Sequence, residues 1–150
     1  MAATLSKIWI HVIFSTKDRK QLITTKLERR LYAYIRKQLY EIGCTLNIVN
    51  GSSDHVHCLF LMNAQVSVAE TVKHIKGSTS HFINYNNLTD EKFSWQTGYT
   101  AYSVSESIVS NVFKYIQHQK FVHEKITLEE ETEEYTAMHL FNNIFDFDNH

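Results

Sequence analysis

Two histidines separated by one residue, His55-Val56-His57, are the first feature of this chain with chemical reach. On a strand, residues two apart point to the same side. Two imidazoles can then approach one cation while Val56 faces away, and Asp54 directly before them can orient a ring from behind. The same pair serves equally well as a histidine pair that holds no metal, and two ligands leave a metal site incomplete. A later helix offers candidates for the remainder. Tyr115 and Gln119 are four apart and project from one side of it, with Asn111 a turn earlier. The apolar stripe of that helix is expected to face away from them. A tyrosine beside an amide oxygen is either an ordinary exposed side chain or a nucleophile next to a metal. A phenol titrates near pH ~10, so a nucleophilic tyrosine needs help from a cation or a base. Ser103, Ser105, Glu106 and Ser107 suit a helix N-terminus.

The elements that must position these groups are legible from periodicity. Ser6–Ser15 reads as a strand, with Ile8, Ile10, Val12 and Phe14 on one face and Trp9, His11 and Ile13 on the other. Both faces are mostly apolar, as in a central strand covered on both sides. Thr25 and Glu28 predict a capping box, followed by a helix on Leu27, Leu31, Ile35, Leu39 and Ile42 that Gly43 ends. Thr45–Asn50 and His55–Met62 read as a hairpin across the turn at residues 51–54. Ser67 and Glu70 predict a second capped helix, bearing Val68, Val72, Ile75 and Phe82. A short strand over Tyr99–Val104 and a helix from about Ser105 to His118 follow, and a last helix is expected from Thr127 to Asn142. Strand, helix, strand, strand, helix, strand is the order of an α+β, ferredoxin-like split βαβ fold. Its antiparallel sheet carries helices on one face, here with additional C-terminal helices. That fold hosts many functions and settles none.

Composition bounds the rest. A chain of 150 residues with 43% apolar and 21% charged residues suits one globular domain, so residues 1–150 are expected to form a single domain. Without proline and with four glycines, no stretch reads as a linker. No apolar run approaches a membrane span, and residues 1–7 lack a secretory pattern. Two cysteines, Cys44 and Cys58, form no close-spaced pair, which fits a reducing, cytoplasmic setting. The net charge of −1 hides an asymmetry: residues 1–125 carry +6, and residues 126–150 carry −7 with no Lys or Arg. An acidic C-terminal helical extension, 126–150, thus masks a moderately basic body.

At this point the chain resembles a known family, the one-tyrosine HUH transposases of small insertion sequences that move as single-stranded DNA. The resemblance spans roughly residues 7–148. It rests on Ser15-Thr16-Lys17-Asp18-Arg19, Asp54-His55-Val56-His57 and Ile75-Lys76-Gly77-Ser78, then Trp95-Gln96-Thr97-Gly98-Tyr99, Ser103-Val104-Ser105 and Tyr115-Ile116-Gln117-His118-Gln119. Each segment is common, and their joint order and spacing are specific. The resemblance implies an HUH endonuclease fold, His55 and His57 as ligands of Mg²⁺ or Mn²⁺, Gln119 as third ligand and Tyr115 as nucleophile. It implies a homodimer acting on single-stranded DNA hairpins, in which the tyrosine helix of one subunit serves the histidines of the other. The reaction it implies is cleavage and rejoining of insertion-sequence ends through a 5′-phosphotyrosine, with no ATP. Arg36, Lys73 and Lys76 are the candidate phosphate contacts. Two rivals stay open: a domesticated nuclease and ligase that processes genomic hairpins, and a non-catalytic nucleic-acid-binding module on the same sheet.

Overall fold

The computed structural model describes residues 3–122. The acidic extension and the helix expected over Thr127–Asn142 lie outside the described residues.

Four strands form one antiparallel sheet in the order β2-β3-β1-β4. They are β1 (Trp9–Ser15), β2 (Thr45–Gly51), β3 (His55–Leu61) and β4 (Thr100–Val104). Helix α1 (Thr25–Glu41) joins β1 to β2, and α2 (Val68–Tyr85) joins β3 to β4. After β4 come a single 3-10 turn over Glu106–Ile108, α3 (Val109–Gln117) and the short α4 (Gln119–Val122). The expected α+β split βαβ order is the observed one.

The pleat divides each central strand between two cores. On one face Ile10, Val12 and Phe14 of β1 meet Val56, Cys58 and Phe60 of β3. Leu27, Leu31, Ile35 and Leu39 of α1 and Val72, Ile75 and Ile83 of α2 cover them. Burying such side chains contributes about 1.5–3 kcal/mol each, so this layer dominates stability. On the other face Leu59 packs with Val104, Ile108, Val112 and Ile116, which seats α3 on the sheet. His11, His55 and His57 share that second face and are fully buried.

Local corrections to the expected elements have simple causes. The cap of α1 is Thr24, not Thr25: its side-chain oxygen accepts from Leu27 N. That places Glu28 one position too deep for a reciprocal box, and it receives Lys120 Nζ at 3.0 Å instead. Ser67 caps α2 as expected, accepting from Glu70 N. Strand β1 begins at Trp9, where Leu61 and Val104 first pair with it. The helix expected over Ser105–His118 is broken at both ends, by the 3-10 turn and by a turn at His118. Gly43 takes φ +81, and a Cβ there would meet Asn63 Nδ2 at 2.6 Å. Gly51 is demanded by closeness instead: a Cβ would overlap the His55 carbonyl and lie 2.9 Å from Val56 Cα.

Candidate active site

The site grows from the end of the β2–β3 hairpin. Register pairs Ser15 with His55 and Ile13 with His57, so the two imidazoles stand beside β1 on the α3 face, 5.1 Å apart between ring centroids. Each ring is held through its Nδ1. His55 Nδ1 lies 2.7 Å from Asp54 Oδ1, and Arg19 stands 3.9 Å from the other carboxylate oxygen. His57 Nδ1 lies 2.9 Å from Nε2 of His11, itself buried. A ring nitrogen tied in this way fixes ring orientation and leaves Nε2 as the ligating atom.

Gln119 reaches the same space. Its Oε1 lies 3.4 Å from His55 Nε2, and the side chain is fully buried. Tyr115 stands with its ring 5.9 Å from that of His57 and 6.3 Å from that of His11, both edge-on. The structure therefore gathers His55, His57, Gln119 and Tyr115 within one chain. Tyr115 is half-buried and packs against the apolar cluster of Leu59, Val112 and Ile116. The expectation that the apolar stripe faces away from Tyr115 and Gln119 is thus corrected. Helix α3 lies flat on the sheet, so residues flanking the stripe also touch it, while Asn111 turns outward with Ser110, Lys114 and Gln117.

Asn50 of β2 secures the turn between Tyr115 and Gln119. Its Nδ2 donates to the carbonyls of Ile116 and Gln117, at 3.0 and 3.1 Å. Those carbonyls are among the last of α3, where the regular helical pattern of partners runs out. Lys120 in turn donates to Asn50 Oδ1 and to Gly51 O.

Other nucleophile candidates are weaker. The buried Cys58 thiol is pushed up to about 12 by desolvation and lies on the opposite face of β3. The Tyr32 phenol is driven far above the usual range by burial and by the nearby Glu28 carboxylate, so it stays protonated.

The expected phosphate contacts are not brought to this site. Arg36 is exposed on α1, with NH1 3.5 Å from Leu46 O. Lys73 and Lys76 lie on α2, across the sheet from the imidazoles, beside a groove of about 510 Å³ shared with Trp95 and Tyr99. Lys76 Nζ donates to Gln96 O and Gly98 O, at 2.6 and 2.7 Å, and partial burial lowers its pKa. It is a clasp for the segment entering β4. Sequence reasoning overlooked His11 and Asn50. The one available signal for His11 was a lone imidazole inside the apolar run of β1.

Among the described residues, no group of three or more His, Cys, Asp or Glu is placed to hold a metal. The donor set here is of another kind, two imidazoles and an amide oxygen. Such donors suit a divalent cation, with neutral ligands that leave its charge undiminished.

Comparison with known proteins identifies the family. The family model described as transposase, IS200-like, matches residues 4–119. The ISDra2 transposase TnpA of Deinococcus radiodurans is 27% identical over 114 residues, spanning 73% of this chain and 81% of that protein. The transposase for insertion sequence element IS200 of Salmonella typhimurium is 25% identical over 115 residues, spanning 73% and 74%. Among solved structures, a transposase from Deinococcus radiodurans R1 superposes with TM-score 0.63 at 24% identity, over 79% of this chain and 95% of that one. A REP-associated tyrosine transposase bound to a REP hairpin superposes with TM-score 0.56 at 12% identity, over 79% and 68%. At such identities the two structures speak to the fold alone. The family match spans most of the chain and takes in His55, His57, Tyr115 and Gln119, and the protein belongs to the IS200-like transposases.

Proposed function

We propose that this transposase cleaves and rejoins single-stranded DNA at hairpin-bearing ends through a phosphotyrosine on Tyr115. The observation that carries the proposal is the approach of the Tyr115 ring to within 5.9 Å of His57, beside His55 and Gln119. A phenol, two imidazoles and an amide oxygen on one sheet face have no structural need of one another. The REP-associated relative bound to a hairpin supports a hairpin substrate.

In the reaction, Tyr115 Oη attacks a backbone phosphorus in line with the departing 3′ oxygen. The phenol loses its proton, an O–P bond forms to Tyr115, and the 3′ oxygen leaves and is protonated. The phosphodiester energy is retained in the tyrosyl ester, so a later 3′ hydroxyl reverses the attack without ATP. His55, His57 and Gln119 would hold Mg²⁺ or Mn²⁺, which supplies charge neutralisation at the phosphate oxygens. Asp54 keeps the His55 ring turned toward the site, and Asn50 keeps Tyr115 and Gln119 on facing sides of one turn. The ring packing on Tyr115 limits its motion and so lowers the entropic cost of alignment.

The resemblance also implies a homodimer that exchanges tyrosine helices. In the arrangement described, the chain's own Tyr115 faces its own His57; the exchanged form, in which Tyr115 of one chain serves the imidazoles of the other, is the one we propose for the dimer.

The test is a hairpin-bearing single strand, labelled on the side that would stay esterified, incubated with Mn²⁺. Label that survives denaturing electrophoresis on the protein, and is lost in Tyr115→Phe, is the expected result. Hairpin binding with no adduct on any of several substrates would favour the non-catalytic binding module.

A further inference from the structure

His11 plays no part in the ligand set, yet it is the buried neighbour of both the imidazole pair and the phenol. It lies on β1 diagonally across from His57, since Ile13 is the residue directly opposite. Diagonal neighbours on one sheet face are within reach of ring side chains. The outcome is a contact of 2.9 Å between His11 Nε2 and His57 Nδ1, with both side chains fully buried. The His11 ring also lies 6.3 Å from that of Tyr115 and 6.0 Å from that of Tyr102.

One proton must lie between the two nitrogens, and its ownership decides what His57 can do. If His11 donates from Nε2, a neutral His57 carries its own proton on Nε2 and cannot ligate a cation there. If His57 donates from Nδ1, its Nε2 presents a lone pair and His11 accepts. Only the second arrangement is compatible with His57 as a metal ligand, and it requires a neutral His11 with its proton on Nδ1. His55 is treated in parallel, because Asp54 Oδ1 can only accept from His55 Nδ1 when ionised.

We propose that His11 is a positioning residue: by accepting from His57 Nδ1 it sets the tautomer and ring plane that make His57 a metal ligand, while its ring braces Tyr115. The inference rests on the reading of His55, His57 and Gln119 as a cation site. A leucine fills much of the same space and accepts nothing, whereas a glutamine can offer an amide oxygen to the same N–H. His11 thus has a role that apolar packing cannot supply.

The experiment uses the whole chain without DNA. Mn²⁺ binding is followed by electron paramagnetic resonance for the wild type, His11→Leu and His11→Gln, with thermal melting in chelator as the folding control. Loss of the N–H acceptor is expected to weaken Mn²⁺ binding by about 10–100-fold in His11→Leu, the usual effect of removing a residue that orients a ligand. His11→Gln should recover most of that loss. Equal binding by a folded His11→Leu and the wild type overturns the inference and leaves the cation site standing. A wild type that binds no Mn²⁺ overturns the cation site itself, and the inference with it. The wild type alone supplies a second readout that does not depend on a variant folding. Long-range proton–nitrogen spectra should show His57 protonated on Nδ1 and His11 bare at Nε2. A His57 protonated on Nε2 in the presence of saturating Mg²⁺, which is diamagnetic, is the opposite result and would refute the assignment.

Discussion

Lys120 donates to the side-chain oxygen of Asn50 over 2.8 Å, and so locks the amide whose other end holds the last carbonyls of α3. The pair ties the hairpin that carries His55 to the turn that separates Tyr115 from Gln119. Hydrogen bonds of this kind contribute about 0.5–1.5 kcal/mol each when formed, and leave a costlier deficit when one partner is removed. Asn50→Ala should therefore lower the rate of adduct formation about tenfold or more, as expected for a loss near 1.4 kcal/mol in alignment. Hairpin affinity should stay within about threefold. Single-turnover adduct kinetics beside a binding titration check it.

Tyr115→Phe and His57→Ala should both abolish the adduct, for separable reasons. The phenylalanine variant lacks the attacking oxygen yet keeps both imidazoles, so it should bind Mn²⁺ as the wild type does. The alanine variant keeps the oxygen and should bind Mn²⁺ poorly. Chelation of the wild type should mimic His57→Ala and be reversed by added Mn²⁺. An adduct that forms undiminished in chelator would show that the tyrosine works without a cation.

Which chain supplies the phenol is open to a mixing experiment. Tyr115→Phe and His57→Ala protomers, co-expressed, have no chain with a complete set. In the exchanged form the intact imidazoles of the Tyr115→Phe chain meet the intact Tyr115 of its partner, so the mixture should regain adduct on the His57→Ala chain. A mixture that stays inactive would show that each chain uses its own Tyr115, which lies beside its own His57.

Gly51→Ala tests the hairpin end. The added Cβ meets the His55 carbonyl and lies 2.9 Å from Val56 Cα, all backbone that cannot move aside cheaply. Overpacking of this kind costs about 1–3 kcal/mol. The melting temperature should fall, and Mn²⁺ affinity should fall with it because His55 and Asp54 are displaced. Unchanged melting would mean that the turn has slack the structure does not show.

The lysines on α2 should behave differently from each other. Lys73 is exposed, and if it meets DNA phosphate its removal should reduce the slope of log affinity against log salt by about one. Lys76 is committed to Gln96 O and Gly98 O, so Lys76→Met should leave that slope alone and lower stability. Equal changes in salt slope for both would contradict the clasp.

The order of strands and helices, the shared face of His55 and His57, and the pairing of Tyr115 with Gln119 all follow from spacing along the chain. Strand pleat and helical turn are local rules, and the sequence by itself determined them. The choice between Thr24 and Thr25 as helix cap did not follow, because both present a hydroxyl and only the path of the entering chain selects one. The partnership of His11 with His57 was decided by tertiary structure, since it depends on the register of β1 against β3, which no local pattern states. The same holds for Asn50, whose bonds reach 66 and 67 residues along the chain to the end of α3. The placement of Lys73 and Lys76 across the sheet from the imidazoles was likewise settled by packing. A helix's polar residues are identifiable from sequence, but which side of a sheet the helix covers is set by where the connecting chain lets its apolar stripe find a core.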